Sequence, residues 1–263
     1  MSDSYGVLRG DDWAPGLREH LPDPSVDMPR WMEQHTRLLK NDRYSRVGLL
    51  GVRGQACFLK LYIAKSPMQN VGFRLAFGRG VRSFDAATNL LRAGVRVPVP
   101  RACVRIPGAL LLLTEGIEDS RDLRALWLAR PGEEAALRYM RVAGETLSSL
   151  HLAGFSHGDC KWSNLLWSGD VCYLVDLEDV RRVGRLGAPS SSLHARQLHD
   201  IARFTADAEA LAVSSGQYEA FLDHYCMSIR YSRETLLDQI RRPVAVIRKR
   251  HESKSGISYP ALL

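Results

Sequence analysis

The chain has 263 residues, of which 45% are hydrophobic and 25% charged, with a formal net charge of +7 at pH 7 and a pI near 9.3. That length buries a proper core in one large domain or two intimate lobes, and the composition is that of an ordinary soluble globular protein. The charge favours an anionic partner, but the cations are spread along the chain and no nucleic-acid module signature is present, so nucleic acid is not expected as that partner.

Residues 1–25 contain no apolar core of a signal peptide. The longest strongly apolar run, Ala109–Leu113, is far too short to span a bilayer, so the expected location is cytoplasmic. Five cysteines (Cys57, Cys103, Cys160, Cys172 and Cys226) form no C-x-x-C pair and no metal-ligand spacing. They read as reduced thiols. Cys160 reads either as a space-filler or as an accessible, oxidisable thiol.

In chain order, residues 1–30 hold Pro15, Pro22, Pro24 and Pro29 among polar residues. They predict an irregular leader with one short helix around Gly16–Leu21. Trp13 and Trp31 either pin that leader onto the following residues or meet substrate. Leu38–Lys40, a loop over Asn41–Arg46 and Val47–Val52 predict a hairpin, and Ala56–Tyr62 predicts a third strand. Phe84–Leu91 has helical spacing with a stop at Gly94. Ala109–Thr114 predicts a buried strand, and Asp122–Ala129 and Glu133–Leu152 predict helices, the second with a spaced apolar face. Further helices are expected over Leu193–Val213, Tyr218–Tyr231 and Arg233–Glu252.

The informative stretch is His151–Arg182. It contains His157-Gly158-Asp159-Cys160-Lys161-Trp162-Ser163-Asn164, and Asp176 follows at the end of a strand-like run. Phosphoryl transfer from a nucleotide needs a carboxylate for the attacking hydroxyl, a neutral oxygen ligand for magnesium and a second carboxylate bridging metal to phosphates. Asp159, Asn164 and Asp176 match those needs in order. The gap from Asp159 to Asn164 equals the D-x-x-x-x-N gap of a kinase catalytic loop, and Lys161 sits two residues after Asp159. Lys60, after the strand residues Cys57-Phe58-Leu59, stands like the lysine of V-A-I-K, although a solvent-facing strand lysine is the competing reading.

His157-Gly158-Asp159-x-Lys161-x-x-Asn164-x-Leu166 with Tyr173-Leu174-Val175-Asp176-Leu177-Glu178-x-x-Arg181 resembles the lipopolysaccharide core heptose kinases (WaaP/RfaP, InaA and Kdo-kinase-like). The resemblance implies an α+β, two-lobed protein-kinase-like fold, with an antiparallel sheet and helix over 36–117 and a mainly helical lobe over 118–263, after the leader at 1–35. It implies ATP and Mg2+ as cofactors and a sugar hydroxyl of the lipopolysaccharide core, a heptose, as acceptor. It also implies an acyl carrier protein partner and a peripheral position at the inner membrane surface.

Under that resemblance Asp159 is the base, and Lys161 stabilises charge on the γ-phosphoryl group. Asn164 and Asp176 hold metal, and Lys60 meets the α- and β-phosphates. The glycine-free Asn41–Ser45 takes the place of the phosphate loop, with Arg43 and Ser45 covering phosphates. Backbone groups from Glu115 to Ile117 meet adenine, and Asp85 is the acidic candidate to pair with Lys60. His157 shapes the loop, and Asp200 anchors the loop backbone. Arg181, Arg182 and Arg185, with the Gly184–Ser192 stretch, read as an acidic-group site or a solvated loop. Two other classes stay open: a small-molecule kinase of the aminoglycoside or choline type, and a non-catalytic kinase-like regulator that binds nucleotide or lipid.

Overall fold

In the computed structural model, residues 5–23, 26–184 and 193–263 are described. The expectations placed on Pro24, on Arg185 and on the stretch from 185 to Ser192 lie outside them. Two compact units form. One takes the residues up to Leu91 with Pro98–Glu118, and the other takes Arg92–Val97 with Asp119–Leu263.

The first unit is built on a six-stranded sheet with antiparallel pairings. Its strands are β1 (Gly6–Arg9), β2 (Arg37–Asp42), β3 (Ser45–Val52), β4 (Gln55–Ile63), β5 (Pro100–Ile106) and β6 (Ala109–Glu115), in the order β1-β5-β6-β4-β3-β2. Period-two alternation divides β4: Cys57, Leu59 and Leu61 bury on one face, and Tyr62 buries on the other. The run Ala109–Leu113 is apolar throughout because β6 is covered on both faces. One cover consists of α1 (Ala14–Arg18) and α2 (Met28–His35), which supply Leu17, Trp31 and Met32. The other includes Phe73 of α3 (Pro67–Arg74) and Val81 of α4 (Arg79–Arg92).

The stretch 1–35, expected to be irregular, therefore contributes an edge strand and two core helices. Pro15 and Pro29 sit where they do no harm, in the first turns of α1 and α2, whose N–H groups have no helical partner anyway. Trp31 is buried in the core, while Trp13 lies under the guanidinium groups of Arg53 and Arg101, at 5.4 and 4.5 Å. The expected loop over Asn41–Arg46 is also shorter than its composition suggests. Strand pairing continues to Asp42 and Ser45, so only Arg43 and Tyr44 make the turn.

The second unit is mainly helical. It comprises β7 (Arg121–Asp122), α5 (Leu123–Leu128), α6 (Glu133–Leu152), β8 (Phe155–Ser156), β9 (Leu165–Ser168), β10 (Val171–Leu174), β11 (Arg181–Arg182), α7 (Ala195–Ala210), α8 (Ser215–Ile229) and α9 (Arg233–Ser255). α6 packs on α8 and α7 on α9. Between them Phe204 and Phe221 stack with centroids 4.2 Å apart, and Trp162 tilts onto Phe204 at 5.3 Å. Arg92–Val97 joins this unit because the Leu174 N–H donates to the Arg96 carbonyl at 3.0 Å. Among the described residues, no helix is long and apolar enough to cross a membrane.

The α6–α8 contact depends on one missing side chain. A Cβ on Gly144 would stand 2.7 Å from the Phe221 carbonyl oxygen and 3.1 Å from the Tyr225 nitrogen, both backbone atoms. Gly144→Ala is expected to lower unfolding stability by about 1–3 kcal/mol in a urea titration. Gly216→Ala, with nothing within 4 Å of its Cβ, is expected to stay within about 0.5 kcal/mol of the parent or to gain slightly.

Candidate active site

The loop from His157 to Asn164 leaves β8 and is tied down from α7. Asp200, fully buried, accepts the His157 N–H at 2.6 Å and the Gly158 N–H at 2.8 Å. His151 of α6 stands 3.3 Å from the same carboxylate, and its other ring nitrogen meets the Tyr225 hydroxyl at 2.6 Å. Burial pushes the Asp200 carboxyl up. The His151 hydrogen bond, the charges of His151 and His157 and the Gly158 N–H outweigh that push and hold it below the ordinary carboxylate value. Gly158 is required by its backbone. It adopts φ +89°, and a Cβ would lie 2.7 Å from the Asp179 carbonyl oxygen. His157 is occupied in shaping the loop: Nε2 faces the Val175 carbonyl at 3.0 Å, and the Asp159 N–H points at Nδ1 from 3.4 Å.

Three of the expected residues come together here. Lys161 Nζ is 2.8 Å from Asp159 Oδ2. Asn164 Nδ2 donates to the Asp159 carbonyl at 2.9 Å and lies 3.4 Å from Oδ2. Asp159 Oδ1 faces Arg203 Nε at 3.7 Å, beyond hydrogen-bonding distance. One carboxylate oxygen is therefore held within its own loop, and the other faces a guanidinium from α7. Arg203 continues the network, with Nη1 3.4 Å from Asp207 Oδ1 and 2.6 Å from His251 Nε2 of α9. Asp207 Oδ2 in turn accepts the Trp162 N–H at 2.9 Å. Burial first, and then the Arg203 charge, lower the His251 pKa, which favours the neutral ring as acceptor.

Asp176 adjoins this group through the bond from Val175 N–H to the Asn164 carbonyl, 3.0 Å. Its backbone is left-handed, φ 63° and ψ 55°, a conformation uncommon outside glycine, better tolerated by Asp and Asn, and concentrated at functional sites. Among the described residues no group of three or more His, Cys, Asp or Glu converges as a metal cluster. A pair of oxygen donors suits magnesium, which keeps several waters and takes phosphate oxygens alongside one or two protein ligands. Asn164 and Asp176 each carry an oxygen donor of that kind. With Asn164 Nδ2 committed to Asp159, its Oδ1 is the atom to offer a cation. The donor chemistry fits.

Cys160 is fully buried, which corrects the alternative of an accessible, oxidisable thiol. Burial, reinforced by Asp200, Asp159 and Asp207, raises its pKa well above the ordinary thiol value.

In the first unit, Lys60 projects from β4 on the Tyr62 face, with Nζ 4.9 Å from that ring's centroid. Arg43 lies over Tyr44 at 5.0 Å in the β2–β3 turn, and the buried Ser45 hydroxyl has no hydrogen-bond partner among the described residues. Asp85 sits on α4, but both of its oxygens are taken by Arg9 of β1, at 2.8 and 3.0 Å. The Glu115 N–H already donates to the Val99 carbonyl at 2.8 Å, and its side chain accepts the Val99 N–H at 3.1 Å. Its carbonyl accepts the Thr114 hydroxyl at 3.4 Å, which leaves one lone pair for a further donor. Ile117 follows β6 and is buried.

Arg203, Asp207 and His251 are not among the residues expected from the sequence. A signal for the first two exists: Asp200, Arg203 and Asp207 fall at three- and four-residue steps on one face of α7, a polar stripe on an otherwise core-forming helix. His251 carries no such signal.

A sheet-and-helix unit, then a helical unit whose loop joins Asp159, Lys161 and Asn164 beside Asp176, defines a protein-kinase-like fold. A solved structure described as WaaP in complex with acyl carrier protein has the same fold, with a TM-score of 0.58 at 16% identity over 87% of this chain and 93% of that one. A family model for the lipopolysaccharide kinase (Kdo/WaaP) family matches residues 30–225, and the chain belongs to that family. A shorter likeness, 47% identity over 38 residues, links it to a probable bifunctional tRNA threonylcarbamoyladenosine biosynthesis protein of Methanocorpusculum labreanum. That match spans 14% of this chain and 7% of the length of that relative.

Replacing Asp200 by Asn leaves one of its two backbone donors without an acceptor, at an expected cost of about 1–3 kcal/mol of stability. Because the folded carboxyl is held below its ordinary value of 3.8, its contribution is fully present above that pH and is lost as pH falls through the folded value. The stability difference between parent and Asp200→Asn, measured by urea unfolding across a pH series, should shrink on acidification below about pH 4.

Proposed function

We propose that this chain is an ATP- and magnesium-dependent kinase that phosphorylates a sugar hydroxyl of the lipopolysaccharide inner core, with a heptose as the acceptor. The observation that carries the reading is the Asp159 carboxylate, held at Oδ2 by Lys161 and facing the Arg203 guanidinium at Oδ1 from beyond hydrogen-bonding distance, at the head of the Asp159–Asn164 spacing. Family membership supports phosphotransfer, and the net charge of +7 suits an acidic glycolipid.

In this mechanism Asp159 Oδ1 orients the sugar hydroxyl and takes its proton as the oxygen attacks the γ-phosphorus. The proton is released to solvent with the product. Lys161 holds Oδ2 and contributes positive charge where the transferring group gathers negative charge. Asn164 and Asp176 would hold magnesium, which when bound neutralises charge on the phosphates. Lys60 neutralises the α- and β-phosphates. Arg43 and the unpartnered Ser45 hydroxyl cover phosphate oxygens from the two-residue turn, and the Glu115 carbonyl and the Ile117 backbone meet adenine. The enzyme works at the inner face of the cytoplasmic membrane, where its acceptor is embedded. An acyl carrier protein partner is proposed from the WaaP complex.

The test is transfer of labelled γ-phosphate from ATP with magnesium to dephosphorylated lipopolysaccharide core, with an aminoglycoside, choline and a generic protein offered in parallel. Label is expected in the core sugar. Asp159→Asn should reduce the rate by about 10²–10⁴-fold while nucleotide binding persists, and Asp176→Ala should abolish detectable transfer. Label in the aminoglycoside or choline would assign the chain to small-molecule phosphorylation, and binding without transfer to anything would favour a regulator.

A further inference from the structure

The first unit carries an apolar surface that the phosphotransfer residues do not use. α3 turns Phe73 inward, where it packs in the cluster of Tyr62, Val81 and Leu110. Beside the exposed Gln69 and Arg74 it also turns apolar side chains outward: Met68 is 82%, Val71 56% and Leu75 65% exposed, and Phe77 just beyond is 73% exposed. Met68, Val71 and Leu75 follow at three- and four-residue steps, so they line one face of the helix through its C-cap. Single exposed apolar residues are ordinary on a soluble surface, whereas a contiguous group marks an interaction site. The helix is formed rather than incidental. Pro67 starts it, and the Ser66 hydroxyl accepts the Gln69 N–H at 3.3 Å as an N-cap.

Charge identifies what would cover this stripe. From residue 61 to 84 the sequence has Lys65, Arg74, Arg79 and Arg82 and no acidic residue. Lys65 precedes α3 and Arg74 ends it, both exposed, so the apolar face has a cation at each end. A helix lying in a membrane interface has this arrangement, with apolar side chains sunk at the headgroup–acyl boundary and cations among anionic headgroups. The stripe projects from a convex helix surface, and a bilayer accepts projecting side chains without a matching pocket.

The geometry points to α3 with Phe77 as the element that docks this chain on an anionic lipid bilayer, Met68, Val71, Leu75 and Phe77 entering the interface and Lys65 and Arg74 meeting the headgroups. The inference rests on the reading of the acceptor as a membrane-borne glycolipid. Lipid binding can be measured without phosphotransfer, so either can fail alone.

The full chain would be sedimented with vesicles of phosphatidylcholine alone and with vesicles enriched in phosphatidylglycerol. Binding is expected to the anionic vesicles and to weaken as salt rises. Leu75→Ser/Phe77→Ser should weaken it by at least about tenfold, and Lys65→Gln/Arg74→Gln should weaken it on anionic vesicles, both variants keeping the parent's circular dichroism and thermal melt. The proposal is overturned if the anionic vesicles are not bound, or if Leu75→Ser/Phe77→Ser binds them as the parent does. It is equally overturned if an acidic acyl carrier protein, and not vesicles, protects Met68–Phe77 from hydrogen exchange.

Discussion

One buried carboxylate sets the position of the loop from His157 to Asn164. Asp200 gathers two consecutive backbone N–H groups, from His157 and Gly158, at the point where the chain leaves β8. A charge so deep in the fold needs compensation, and His151 supplies it from α6 while leaning on Tyr225 of α8. Three helices therefore meet at the root of the loop, and the place of Asp159 is an outcome of how they pack. The aromatic stack of Trp162, Phe204 and Phe221 serves the same end from the apolar side. It seats the residue two before Asn164, while the Trp162 indole donates to the Phe204 carbonyl at 3.0 Å.

Arg203 makes the loop answerable to a second region. Its guanidinium stands among Asp159, Asp207 and His251, so one side chain faces the Asp159 carboxylate, the residue that accepts the Trp162 N–H and the last helix. α9 is fastened nearby by Arg248, whose guanidinium meets the fully buried Glu209 at 2.7 and 2.8 Å. The helix farthest along the chain thus belongs to the support of the site.

What can be read from the sequence is what is local. His157 to Asn164 spans a single loop, so its spacing is visible whatever surrounds it. The bounds of α6 are equally legible, since Glu133 and Glu134 open it and its apolar spacing persists to Leu152. The contacts that escape are those made between distant segments. Proline-rich composition makes the leader look irregular, because the pairing of Val7 with Val104 leaves no trace near residue 7. Asp85 looks like a partner for Lys60 for the same reason: its partner Arg9 lies 76 residues away, on a strand composition does not suggest. α3 is hidden by its own chemistry, since a short helix with glycine inside and apolar residues outward has the pattern of neither a core helix nor a solvated one.

The five cysteines, all free and all buried, have a practical consequence. Burial pushes the Cys103 thiol up to about 12 and the Cys226 thiol up to about 11, and it raises Cys57, Cys160 and Cys172 as well. Since the thiolate is the reactive species, the folded protein offers almost nothing to a maleimide at neutral pH. A cysteine placed on the surface would be the only reactive thiol, so a fluorophore or spin label can be attached at a chosen position without first removing the native five. The same silence turns any slow labelling of the unmodified chain into a clock for the opening of its core.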